Sequence, residues 1–121
     1  MSKSRRRVSE PLPADRASAL TELVGVSEGA IVSRVLASAE GGNVTLFSFD
    51  RGQGLSEHIA PFDALVQVVD GALELTIGDA EVTVQTGEVV LMPAGVPHAL
   101  AAPEPSRMLL TMLRDRFREG T

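Results

Sequence analysis

Residues 64–85 are the most informative stretch of this chain: Ala64-Leu-Val-Gln-Val-Val-Asp-Gly71-Ala-Leu-Glu-Leu-Thr-Ile-Gly78-Asp-Ala-Glu-Val-Thr-Val-Gln85. Its apolar residues come in short runs, and over residues 73–77 they alternate with polar residues, which is the period of a strand with one buried face. Asp70-Gly71 and Gly78-Asp79 separate the runs, and each pair reaches positive φ at little cost, as a tight hairpin requires. The stretch therefore predicts β-strands joined by short turns.

The same pattern extends in both directions, from residue 31 to residue 113. Short runs of Val, Leu, Ile, Phe and Thr alternate with Gly, Pro and Asp, and no long stretch has a helical period. Strands are predicted at residues 31–38, 43–50, 55–60, 64–70, 72–77, 81–85, 89–92, 98–101 and 108–113. Exposed edges of this many short strands would pair with other chains, and closed architectures remove or cover such edges. We therefore expect an all-β sandwich, jelly roll or small barrel.

The two ends of the chain differ from this β-rich part. Residues 15–23 carry the one helical pattern, and we expect a short helix there. Residues 1–14, with their basic run and two prolines, are expected to form a disordered arm, and residues 114–121 a charged tail anchored by Phe117. Residues 15–113 would then form the barrel domain, with its core at residues 43–113.

Composition excludes several classes of protein. The 121 residues include no cysteine, which excludes a disulfide scaffold, a thiolate zinc site, an iron–sulfur cluster and a cysteine nucleophile. No run of 18 apolar residues could span a membrane, and the basic start is not followed by the apolar segment of an export signal. We therefore expect a cytoplasmic protein without a membrane partner.

Charge is distributed unevenly along the chain. Residues 8–113 carry four arginines against 14 carboxylates, and an acidic body repels nucleic acid. The run Arg5-Arg6-Arg7 is expected to be a solvated tail, since short charged termini usually are, with a phosphate-seeking arm as the less favoured alternative. Nucleic acid is therefore not an expected partner.

The only two histidines of the chain, His58 and His98, lie at predicted strand ends. Imidazole is the commonest side-chain metal ligand, and histidines from separate strands can meet inside a barrel. His98 ends the motif Gly87-x5-Pro93-x-Gly95-x2-His98, which resembles the second motif of the cupin family; the asparagine that follows in the family is Ala102 here.

His58 falls in the register of the first cupin motif, Gly52-x5-His58-x-Ala60-x3-Ala64-x6-Gly71. Ala60 stands where the family has a second histidine, and Ala64 where it has a glutamate. The resemblance implies a double-stranded β-helix, a jelly-roll barrel with both imidazoles pointing inward. It also implies an incomplete metal set, which the nearest carboxylate, Asp63, does not restore because it is one residue out of phase.

Three interpretations of the histidine pair stay open: a weakly held divalent ion (Zn, Ni, Fe or Mn), a direct polar contact to an organic ligand, and an idle pair. A ligand pocket is expected between side chains that would also serve as core residues, namely Phe47, Phe49, Val66, Met92 and Met112. The favoured function is a small-molecule-binding protein; a metal-dependent oxygenase or isomerase and a non-catalytic sensor or partner subunit with an empty barrel are the alternatives. Strands that are apolar on both faces, at residues 64–69 and 109–113, predict a homodimer.

Overall fold

The computed structural model describes residues 4–114, which form ten strands and one short helix in two β-sheets. The elements are β1 (Ser4–Val8), α1 (Leu20–Leu23), β2 (Ala30–Ala39), β3 (Gly42–Phe49), β4 (Gly54–His58), β5 (Asp63–Asp70), β6 (Ala72–Ile77), β7 (Ala80–Gln85), β8 (Val89–Met92), β9 (His98–Ala101) and β10 (Ser106–Leu113). The larger sheet has the order β1-β2-β3-β10-β5-β8 and the smaller one the order β4-β9-β6-β7. No helix within residues 4–114 is long and apolar enough to cross a membrane.

The path of the chain makes this pair of sheets a jelly roll. From β3 to β10 the chain changes sheet at every connection except the β6–β7 hairpin. Every strand pair is antiparallel except β1 with β2. The predicted all-β jelly-roll class is therefore confirmed.

The core lies between the inner faces of the two sheets. In β6 the buried Leu73 and Leu75 alternate with the exposed Glu74 and Thr76, as the sequence predicted. The inner face of β5 contributes three buried side chains to the same cluster, Ala64, Val66 and Val68. Each fully buried Leu or Val side chain stabilises the fold by about 1.5–3 kcal/mol, so this cluster is the main source of stability.

The turn between β5 and β6 requires glycine. Gly71 has φ +89, a region that side chains rarely adopt. A Cβ at this position would collide with Ser106 Oγ and the carbonyl oxygen of Pro105. Ser106 is fully buried and bonds both backbone polar groups of Ala72, accepting from N–H at 3.0 Å and donating to C=O at 2.9 Å. Because β5 and β6 lie in different sheets, this turn is not the tight hairpin that Asp70-Gly71 predicted, and Ser106 ties it to the start of β10.

The N-terminal part differs from the sequence expectation. Residues 1–14 were predicted to be a disordered arm, but Ser4–Val8 forms β1 and pairs in parallel with β2, from Ser4↔Ala30 to Val8↔Arg34. The open edge of β2 supplies the backbone hydrogen-bonding groups that make this pairing possible. The helix is shorter than predicted, because Asp15 has φ +68 and the helix begins only at Leu20. Phe117 lies outside the described residues.

Residues 9–29, the strap, cross the outer face of the larger sheet. Val24 of the strap is buried against Val32 and Leu46. Two arginines of the sheet hold the strap by its backbone: Arg34 donates to the carbonyl of Leu23 (3.2 Å), and Arg107 donates to that of Val24 (2.8 Å). The strap therefore covers the outer face from β2 across to β5 and leaves the β8 edge open.

Candidate metal and ligand site

His58 ends β4 and His98 begins β9, and the two residues are direct partners in the register of these strands. Their Nε2 atoms are 3.1 Å apart. The ring centroids are 4.3 Å apart, and the ring planes are inclined at 72°. Two turns that are remote in sequence thus bring both imidazoles of the chain to one point.

The imidazoles border a cavity of about 290 Å³ between the two sheets. His98 is 6% exposed, whereas His58 is exposed and stands at the mouth. The rest of the lining is apolar and includes Leu55, Phe62, Met92, Met108, Leu110 and Met112. Such a cavity has the size for a small organic molecule and offers it two nitrogen ligands in apolar surroundings.

The second nitrogen of each ring fixes the tautomer. Nδ1 of His58 lies 3.2 Å from the carbonyl oxygen of Ser56, and Nδ1 of His98 lies 3.2 Å from that of Val96. A carbonyl oxygen only accepts, so both Nδ1 atoms must donate, and a neutral imidazole has only one N–H. Both Nε2 atoms then direct lone pairs at each other. A metal ion between them would satisfy both lone pairs.

The separation of the Nε2 atoms suits a shared metal ion. Imidazole nitrogens bind zinc at about 2.0–2.1 Å, so two of them on one ion are about 2.9 Å apart at a right angle and about 3.4 Å apart at the tetrahedral angle. The observed 3.1 Å lies between these values. The backbone carbonyls on Nδ1 are the kind of outer partner that metal-binding histidines have.

The described part of the chain provides no cluster of protein ligands beyond the two histidines. Within residues 4–114 no group of three or more His, Cys, Asp or Glu residues is arranged to hold a metal ion. Ala60 and Ala64 line the cavity at the two positions where the cupin motif has ligands. Asp63 instead accepts a hydrogen bond from the backbone N–H of Ala94 (2.8 Å), so this carboxylate supports the turn after β8.

The structure separates the five side chains expected in the pocket. Met92 and Met112 line the cavity, whereas Phe49 and Val66 are fully buried in the core and are not part of the lining. Phe47 stacks on Phe49, with ring centroids 5.9 Å apart, and faces a different groove. All five are on inner faces, but of the five only Met92 and Met112 lie at the level of the histidines. These two belong to one row of paired residues that crosses β10, β5 and β8 through Ala64.

Sequence reasoning missed several lining residues. Met108 and Leu110 lie two and four positions before Met112 on β10, so they share its face of the strand. That alternation could have identified both. Leu55 and Phe62 flank His58 along the chain and carried no comparable pattern.

Comparison with known proteins identifies the class. A family model described as a cupin domain matches residues 45–113, more than half of the chain. The chain therefore belongs to the cupin family. More narrowly, it is a small cupin domain protein whose cavity is lined by His58 and His98 and, beside them, by Ala60 and Ala64.

Solved structures agree with this assignment. A conserved protein of unknown function from Streptococcus pyogenes is 34% identical with a TM-score of 0.83, over 87% of this chain and 92% of that one. A cupin superfamily protein from Desulfitobacterium hafniense is 30% identical with a TM-score of 0.81, over 86% and 95%. A cupin 2 conserved barrel domain protein from Leptotrichia buccalis is 38% identical with a TM-score of 0.74, over 77% of this chain and 45% of that one. A search of curated proteins found no match.

Proposed function

We propose that this protein is a small-molecule-binding cupin whose cavity holds a divalent metal ion through Nε2 of His58 and Nε2 of His98. The convergence of two Nε2 atoms at 3.1 Å, with both Nδ1 atoms engaged by backbone carbonyls, carries the proposal. Zn, Ni, Fe and Mn all accept imidazole nitrogen. With two protein ligands the ion is held weakly, and water or the bound small molecule completes its coordination.

Different groups in the cavity orient the imidazoles and contact the ligand. The carbonyls of Ser56 and Val96 hold the two rings in place, so little ordering is needed when a cation enters. The thioethers of Met92 and Met112 form an adaptable wall for the apolar part of a ligand. When bound, the ion supplies a Lewis acid for an oxygen or nitrogen atom of that ligand.

Binding is a better proposal than catalysis. Of the side chains that line the cavity, only the two imidazoles can accept or donate a proton. Once both hold a metal ion, no side chain of the lining is left to act as a general acid or base. A metal-dependent enzyme remains the second candidate from the sequence, but the lining adds no residue in its favour.

Metal titration of the untagged, metal-free protein tests the proposal. We expect one Zn²⁺ or Ni²⁺ per chain by calorimetry and at least a tenfold loss of affinity in His58→Ala and in His98→Ala, since each removes one of two ligands. Glu57→Gln is the matched control, because this exposed carboxylate is next to His58 but does not line the cavity. Unchanged affinity in both histidine variants would refute the metal site.

A further inference from the structure

A second groove, the arginine groove, opens at the β1 edge of the larger sheet. It has a volume of about 320 Å³ and is lined by Arg5, Arg6, Arg7, Ile31, Ser33 and Phe47. Arg5 pairs with Ile31 and Arg7 with Ser33 in the parallel β1–β2 register. Side chains alternate along a strand, so Arg5 and Arg7 lie on the same face of β1, about 6.6 Å apart along it.

Arg6 differs from its two neighbours. It borders the groove, but its side chain projects to the opposite face of β1, where the guanidinium donates to Ser27 Oγ at 2.9 Å, so its charge is not directed into the groove. The guanidinium groups of Arg5 and Arg7 are exposed and have no hydrogen-bond or ion-pair partner within residues 4–114. Two unpaired cations on one face repel each other, and a bound anion would relieve that repulsion.

The floor of the groove is apolar with one hydroxyl. The half-buried ring of Phe47 and the buried Ile31 form the apolar part, and the half-buried Ser33 adds a hydroxyl with no side-chain partner within the described residues. Guanidinium groups bind carboxylate and phosphate through paired hydrogen bonds and also stack on rings. The rest of the body is strongly acidic, with four arginines against 14 carboxylates in residues 8–113, so this groove is where an anion would be drawn.

We propose that the arginine groove binds a small organic anion. Arg5 and Arg7 hold its carboxylate or phosphate group, Ser33 donates a further hydrogen bond, and the apolar part of the anion rests on Phe47. The groove and the histidine cavity are neighbours, because Phe47 of the groove and Met108 of the cavity are partners across β3 and β10. They are separate because no residue lines both. This binding requires neither imidazole and goes beyond the proposed function.

Titration of the full chain with phenyl phosphate, benzoate and phenol, followed by the backbone amide signals of β1 and β2, tests the inference. We expect phenyl phosphate or benzoate to bind at least tenfold more tightly than phenol, with shifts at Ser33 and Phe47; the tighter of the two identifies the anionic group. Arg5→Gln and Arg7→Gln should each weaken binding about tenfold, the effect of losing one charge-assisted contact. Arg6→Gln, on the same strand and with the same charge, should bind as the wild type does.

The variants also show how the inference could fail. An equal loss in Arg6→Gln would mean general attraction to a basic segment and would overturn it, as would equal shifts with phenol. Because changes in β1 could loosen the strand, Phe47→Leu provides a second test: it should weaken phenyl phosphate binding more than inorganic phosphate binding, and equal effects would refute the apolar contact. The double variant His58→Ala/His98→Ala should keep full anion binding; loss there would assign the anion to the histidine cavity instead.

Discussion

Ala60 and Ala64 stand where the cupin motif has a histidine and a glutamate, and both line the cavity beside the histidine pair. Replacing them with the family's ligands, Ala60→His with Ala64→Glu, should tighten Zn²⁺ or Ni²⁺ binding at least a hundredfold, because the donor set grows from two groups to four. Calorimetric titration of the metal-free protein measures this. Ala101→His is the control, since Ala101 is exposed on the outer face of β9 and should leave the affinity unchanged. Equal affinity in the double variant and the wild type would mean that positions 60 and 64 do not face the ion.

Metal binding by the two Nε2 atoms should also depend on pH. A proton and a metal ion compete for the same lone pairs, and only neutral imidazole binds metal. Metal affinity should therefore fall when the titration is repeated at pH values lowered from about 7.5 to about 5.5, because more protons then compete with the ion. Titrations at several pH values measure the change, and release of protons on binding should accompany it in buffers of different ionisation enthalpy. Affinity that is constant over this range would contradict coordination by His58 and His98.

The sequence allowed the site to be placed only in part. Spacing was enough to predict that His58 and His98 meet, because the glycines and the proline around them fix where each strand ends. Spacing was not enough to predict that Phe47, Phe49 and Val66 lie outside the lining of the cavity. Period-two alternation gives the face on which a residue lies, whereas its level in the barrel depends on the pairing of strands that are remote in sequence.

At the scale of strands and turns, the strands from residue 31 onward were predictable because turn residues and alternation agree there. β1 was not, because the run Arg5-Arg6-Arg7 has neither apolar alternation nor high strand propensity. Its pairing depends on the free edge of β2, to which the strap returns the chain. A local pattern cannot indicate such a partner.

The turn at Gly71, between β5 and β6, allows the cost of a steric collision to be separated from the cost of backbone strain. Gly71→Ala should lower the free energy of unfolding by about 2–4 kcal/mol, since strain at positive φ adds to the collision with Ser106 and Pro105. Gly87→Ala is the matched control: it has φ +86, and nothing lies within 4 Å of an added Cβ, so it should cost only about 1 kcal/mol. Urea unfolding of both variants gives the difference, and equal costs would show that Ser106 and Pro105 move aside freely.

At the scale of the whole molecule, propensity alone predicts many strands but not how they connect. A sandwich, a jelly roll and a small barrel can share one strand pattern, and they differ in which strands change sheet. The two cupin-like motifs supplied that information, because they relate the turns before β5 and β9 to a single cavity. The alternating path of β3 to β10 between the sheets agrees with them.

The outer face of the larger sheet is where we expect a second copy of the chain. The strap covers it from β2 to β5, but β8 is the edge strand beyond β5, and its outward side chains Val89 and Leu91 are 57% and 48% exposed. An apolar edge strand is prone to pair, so the wild type should sediment as a dimer at micromolar concentration and Leu91→Glu as a monomer. Val26→Glu, an exposed change on the strap, should stay dimeric. A wild type that is monomeric up to about 100 µM, a concentration at which even modest interfaces associate, would exclude this homodimer.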